Sequence, residues 1–303
     1  MDRNSILTKI IGTAVFLCWL GAPALAVKAQ DENQTTKSND EIAKELANPN
    51  ATLGTMAFQF DFITYGGDLP DANKQNSTSL NFQPSLPIPL AKGVNLFVRP
   101  LIPIIISQPY YGDNGFEQKG FNLGNISADV AVGKTWPSKT ITIVGAFAGF
   151  PTATDADLKT SEVTLGPELM VAQLFKWGAI GVMVNHAWGV SGTPNDAASS
   201  DEFSIQSNHP RHAQVTAGQY FYVVNLKNAW QITGQPTWAY NHEAEEGSKL
   251  TFPIGTGVNK VVSFGKLPVK ISLQYWYYVA APDTFGPRHQ IRFQIAPVVP
   301  LPW

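Results

Sequence analysis

From residue 55 onward, apolar and polar side chains alternate nearly one for one. In TMAFQFDFITY (55–65), Met56, Phe58, Phe60 and Phe62 alternate with Ala57, Gln59, Asp61 and Ile63. In STSLNFQPSLPI (77–88), Leu80, Phe82, Leu86 and Ile88 alternate with Asn81, Gln83 and Ser85. A period of two places the two sets on opposite faces of a β-strand. Similar runs at 93–106, 121–134, 139–150, 162–174, 177–188, 213–225, 229–240, 249–262, 268–279 and 289–299 bring the expected number of strands to twelve. At about 10 to 13 residues, these strands exceed the globular average of roughly 5–6. They suit a tilted membrane-crossing strand of roughly 9–11 residues with its ends.

The connections alternate in length. Short ones fall at 89–93, 135–139, 174–177, 225–229 and 263–267; long ones at 66–76, 107–120, 151–161, 189–212, 241–248 and 280–288. The pattern predicts an all-β fold: a transmembrane antiparallel β-barrel of about 12 strands, with short periplasmic turns and long extracellular loops. Every short turn carries a lysine: Lys92, Lys139, Lys176, Lys227 and Lys266. Trp136, Trp177 and Trp230 lie beside them, so these residues are expected to anchor the barrel at the periplasmic interface.

Upstream of the strands, Arg3 and Lys9 precede an apolar run at 10–21 and a small-residue ALA at 24–26, the pattern of a cleaved export signal. A second cleavage candidate is VKA at 27–29. The expected organisation is a signal peptide (1–26), a periplasmic segment with a short helix (27–54) and the barrel (55–303). Asn39 or Asp40 can cap that helix, Pro49 follows it, and Ile42 and Leu46 share a face. The only cysteine, Cys18, falls inside the signal, so thiol chemistry and disulfides are not expected in the mature chain.

Charged residues make up only 15% of the chain and the net charge is −2, which leaves no basic field for nucleic acid. At the other end, QIRFQIAPVVPLPW (290–303) keeps Ile291, Phe293, Ile295, Val299, Leu301 and Trp303 in one parity. A final strand of this kind is expected to engage the barrel-assembly machinery. The expected surroundings are outer-membrane lipid and lipopolysaccharide.

The segments NPNATLGTMAFQFDF, NFQPSLPIPL, NLFVRPLIPII, YFYVVNLKNAWQITGQPTW, FPIGTGVNKVVSFGKLPVKISLQYWYYV and RFQIAPVVPLP are distinctive together. Across most of 48–303 the chain resembles a family of bacterial outer-membrane β-barrel transporters, also labelled neuromedin U-like and related to proteins encoded near phenol meta-cleavage pathways. The resemblance implies a barrel with a transport role and supplies no binding residues.

If the apolar parity faces lipid, Asp61, Arg99, Asp129, Glu168, Lys270 and Arg292 line the lumen, among polar residues such as Gln59, Asn81, Gln231, Gln274 and Gln290. A charge facing lipid at mid-membrane costs about 2–4 kcal/mol, which favours this placement. Tyr220, Tyr222, Trp276 and Tyr278 fall in the same parity and are candidates for stacking on a ligand. GTG at 255–257 lacks the spacing of a nucleotide loop and reads as strand glycine. The histidines, His209 and His212 in the longest loop included, form no catalytic arrangement with a serine, and Pro210 argues against a helical metal pair. No catalytic residue, metal ligand or cofactor is expected. The sequence therefore favours a passive channel for small, aromatic or hydrophobic compounds, with a structural or adhesion barrel as the alternative and a barrel enzyme as a weaker one.

Overall fold

The computed structural model describes residues 37–192 and 212–302. The signal segment, most of the loop at 189–212 with His209, and Trp303 lie outside the described residues.

Fourteen strand segments form one antiparallel sheet that closes on itself. They are β1 (Gly54–Gly66), β2 (Asn76–Ala91), β3 (Val94–Gly112), β4 (Gly115–Leu123), β5 (Ile126–Thr135), β6 (Thr140–Phe150) and β7 (Glu162–Phe175). The series continues with β8 (Gly178–Gly192), β9 (Gln214–Asn225), β10 (Trp230–Gly234), β11 (Thr237–Asn241), β12 (Leu250–Phe264), β13 (Leu267–Ala280) and β14 (Gly286–Val299). Segments β4 and β5 both pair with β3 and count as one stave; β10 and β11 both pair with β9 and count as another. The barrel therefore has twelve staves, and β1 meets β14 to close it.

Two details depart from the expected strands. The β3–β4 hairpin continues past the neighbouring staves at the long-loop end. The run expected at 229–240 is broken at Gln235–Pro236, because proline has no N–H for the ladder. As a result, residues 252–256 of β12 have no ladder partner on that side. Side chains fill in: the Tyr220 hydroxyl donates to the Pro253 carbonyl (3.1 Å) and the Tyr222 hydroxyl to the Gly255 carbonyl (3.4 Å). The Gln235 N–H donates to Gln274 Oε1 (3.1 Å), and Gln219 Nε2 donates to the Gln235 carbonyl (3.0 Å).

The outer face is an apolar belt that includes Phe58, Phe60, Leu169, Ile180, Leu273 and Phe293, all exposed. In water so large a patch would drive aggregation; in a bilayer it faces matching solvent. The five turn lysines, Lys92, Lys139, Lys176, Lys227 and Lys266, are exposed at the short-turn rim. Trp136, Trp177 and Trp230 are exposed close by, and Trp177 stacks on Phe175 at 4.9 Å. The cations that cover these rings come from strand positions instead: Lys134 sits 3.8 Å over Trp136 and Lys260 sits 4.8 Å over Trp230.

One helix, α1 (Asn39–Leu46), precedes the barrel. Its cap is Ser38, one residue before the expected caps, because Ser38 and Glu41 form a reciprocal capping box. Hydrogen bonds from the Ser38 backbone and hydroxyl hold the Glu41 carboxyl below its usual range.

Candidate functional site: the barrel interior

Two ionic clusters occupy the interior. The first spans the closing seam. Asp61 on β1 and Arg292 on β14 are directly paired in register, and both guanidinium contacts to the carboxylate are 2.6 Å. Asn81 Nδ2 donates to Asp61 Oδ2 at 2.9 Å, and Arg292 lies 4.6 Å over the Trp276 ring. Asp61 and Trp276 are buried. The indole fits because residue 255, opposite it in register, is glycine: a Cβ there would come 2.3 Å from Trp276 Cδ1. The GTG motif is thus a gap cut for an inward tryptophan. Gly255→Val is expected to displace Trp276 and cost about 1–3 kcal/mol, read as a lower urea midpoint and a shifted tryptophan emission.

The second cluster joins three further staves. Arg99 on β3 binds Asp129 on β5 through two contacts of 2.8 Å and reaches Glu168 on β7 at 3.7 Å. Arg99 and Asp129 are register partners, whereas Glu168 is two staves beyond β5. Gly145 on the intervening β6 faces Glu168 in register and leaves the space clear. Glu168 Oε2 is buried without a hydrogen-bond partner.

Toward the short-turn end, the side of the interior formed by β3, β5, β6, β7 and β9 is apolar. Phe97, Ala131, Ile141, Ile143, Met170 and Phe221 pack together, joined by Leu174 and Met183. Parity alone had left this cluster invisible, because β6 and β9 carry apolar residues on both faces. The same ambiguity misplaces Tyr220 and Tyr222. Both stand opposite exposed, lipid-facing partners, Val182 and Ile180, so they lie on the outer face. Phe221 and Val223 turn inward between them. Trp276 and Tyr278 do face inward, but Trp276 is fully covered and the Tyr278 hydroxyl donates to Gln290 Oε1 at 2.6 Å. Lys270 also faces inward, beside buried Val261 and Ala296.

The N-terminal segment crosses the short-turn mouth from inside. Ile42 and Ala43 of α1 pack on Ala229, Val261 and Val298. The Ala229 N–H donates to Asp40 Oδ1 (2.9 Å), Gln231 Nε2 to the Ala43 carbonyl (2.8 Å) and the Ser263 hydroxyl to Asn39 Oδ1 (2.6 Å). Asn50 then reaches the far wall. Its Nδ2 donates to the Gly93 carbonyl (3.1 Å) and Thr135 Oγ1 (2.8 Å), and its carbonyl accepts from Asn95 (2.9 Å). The first wall belongs to β10, β12 and β14 and the second to β3 and β5, on opposite sides of the ring. The sequence showed a short helix but no sign of where it would dock.

No family model matches the chain, and no curated protein matches it in sequence. Solved structures do share the architecture. The COG4313 outer-membrane channel from Pseudomonas putida F1 aligns with a TM-score of 0.58 at 11% identity, over 82% of this chain and 94% of that one. The NanC porin aligns at 0.49 and 8% identity, over 81% and 100%. CymD, a monoaromatic hydrocarbon channel, aligns at 0.46 and 10%, over 87% and 91%. The fold is that of an outer-membrane β-barrel. The neuromedin U-like label itself has no matching family model behind it.

Proposed function

We propose that this barrel is an outer-membrane channel for passive passage of small, aromatic or hydrophobic compounds. The observation that carries this reading is the division of the interior. Asp61 pairs with Arg292 and Arg99 with Asp129, so these four charges are compensated locally. On the side of the Arg99–Asp129 pair, toward the short turns, lies the apolar cluster around Phe97, Ile143 and Phe221. Compensated charges give little field to concentrate ions, whereas an apolar wall lowers the free energy of a small hydrophobic solute.

The test is planar-bilayer conductance of the refolded mature protein beside an Arg99→Ala/Glu168→Ala variant. Small steady steps are expected in the parent, with altered ion selectivity in the variant. Uptake of a monoaromatic compound by cells should fall when the gene is deleted. Unchanged uptake would count against the reading. A second reading, a structural or adhesion barrel with a plugged lumen, draws on the segment tied across the mouth by Asp40 and Asn50. It expects lost adhesion and unchanged uptake in the same deletion strain.

A further inference from the structure

The wall around the short turns carries one sign of charge. Within five residues of the five short turns the chain holds eight lysines and no aspartate or glutamate. The acids at this mouth, Asp40, Glu41 and Glu45, belong to α1. Two of the lysines stand on strands and face outward. Lys134 follows exposed Val130 and Val132 in the parity of β5, and Lys260 follows exposed Val258 in that of β12. Neither has a carboxylate partner among the described residues. Each lies over an exposed indole, Lys134 at 3.8 Å from Trp136 and Lys260 at 4.8 Å from Trp230.

The Lys134 position is the better equipped. Thr142 on β6 is its register partner, which places their Cβ atoms about 4.5–5.5 Å apart on the outer face. The Trp136 indole donates to Thr142 Oγ1 at 2.9 Å. That hydroxyl accepts from the ring and keeps its own proton to donate. An ammonium held on an indole face and a hydroxyl locked beside it share one demand, an oxyanion. One step deeper along the same face, Val132 and Val144 are register partners, and Leu169 on β7 flanks Val144; all three are exposed. Residues two apart on a strand lie about 6.5–7 Å apart, so an apolar strip begins directly behind the donors, on the bilayer side. A free inorganic anion gains nothing from that strip, whereas a phosphate that carries acyl chains does. Basic residues at this depth, with no acid among them, also draw anionic lipid over neutral lipid.

We propose that Lys134, Trp136 and Thr142 form a headgroup site for an anionic phospholipid at the short-turn rim. The phosphate sits between the ammonium and the hydroxyl, and an acyl chain follows Val132, Val144 and Leu169. The site is on the outer wall, open to the bilayer, and does not depend on what passes through the barrel. Lys260 over Trp230 repeats the arrangement, with exposed Ile232 and Val258 as the register pair one step deeper. It lacks the hydroxyl and is expected to hold lipid more weakly.

The test is native mass spectrometry of the full mature protein, released from detergent micelles doped with phosphatidylglycerol or with phosphatidylcholine of the same chain length. The parent is expected to retain phosphatidylglycerol in preference to phosphatidylcholine. Lys134→Met should weaken the tightest-held phosphatidylglycerol by about tenfold, the scale of a lost charge-assisted hydrogen bond. Thr142→Val should weaken it less, and Lys134→Arg should keep most of the affinity. Lys266→Met removes the same charge from a turn on another arc of the rim and should leave the tightest binding unchanged. Folding of each variant is checked by heat-modifiable migration, and Lys134→Gln replaces Lys134→Met if that variant fails to close. Equal retention of the two lipids by the parent would overturn the site. Equal weakening by Lys134→Met and Lys266→Met would replace it with a diffuse field. Displacement of the lipid by excess inorganic phosphate would overturn the lipid assignment, leaving a site for the bare anion.

Discussion

Removing residues 38–50 is expected to raise single-channel conductance several-fold while the barrel still folds. The segment lies inside the short-turn mouth and is fastened to walls on opposite sides of the ring. Nothing in the strand ladder depends on it, since every stave is paired to its neighbours without it. Its loss uncovers Ala229, Val261 and Val298, which are small and already inside the barrel. A milder variant, Asp40→Ala/Asn50→Ala, removes one side-chain hydrogen bond at the α1 wall and three at the far wall, and keeps the helix. It should give flickering steps between the parent and deletion levels, because each tie is worth only about 0.5–1.5 kcal/mol. Unchanged conductance in the deletion would mean that the restriction lies higher, among the ionic clusters.

The second large effect is expected at the seam. Asp61→Ala takes away a carboxylate that is wholly buried and receives two contacts from Arg292 and one from Asn81. Breaking a buried pair from one side leaves a charge whose desolvation is no longer offset, a loss of about 3–5 kcal/mol. Because this pair joins the first strand to the last, the loss falls on barrel closure, and the folded band in a urea series should disappear at markedly lower concentration. Asp61→Asn with Arg292→Met removes both charges and should recover much of the difference. A midpoint for Asp61→Ala within about 1 kcal/mol of the parent would show that the seam is held by its backbone ladder alone.

These outcomes also show how far the sequence could be read. In β1, Asp61 stands between Phe60 and Phe62, and a charge flanked by two large apolar residues leaves only one sensible direction in a membrane. The twelve staves were legible for the same reason: alternation and loop length are local properties. The inner apolar cluster was not, because several inward positions of this barrel carry apolar side chains like the outward ones. In β6, Ile141 and Ile143 point inward while Val144 points outward, so hydrophobicity no longer marks a face. In β9, Tyr220, Phe221 and Tyr222 follow one another, and only pairing with Val182, Gly181 and Ile180 fixes which turns in. The break at residues 235–236 is marked in the sequence by Pro236, which has no N–H for the ladder. The docking of α1 depends on contacts across 188 positions or more, which no local pattern encodes.

That proline has a mechanical consequence. Other gaps in the wall's net of backbone bonds are shorter, such as residues 83–85 of β2 and 166–167 of β7. Along residues 252–256 the net is cut on one side, and what spans the cut is two phenol hydroxyls outside and two glutamine side chains inside. Side-chain links rotate where backbone links do not. Under a change of lateral pressure in the bilayer, the wall is therefore expected to bend along this line more readily than where backbone bonds run unbroken.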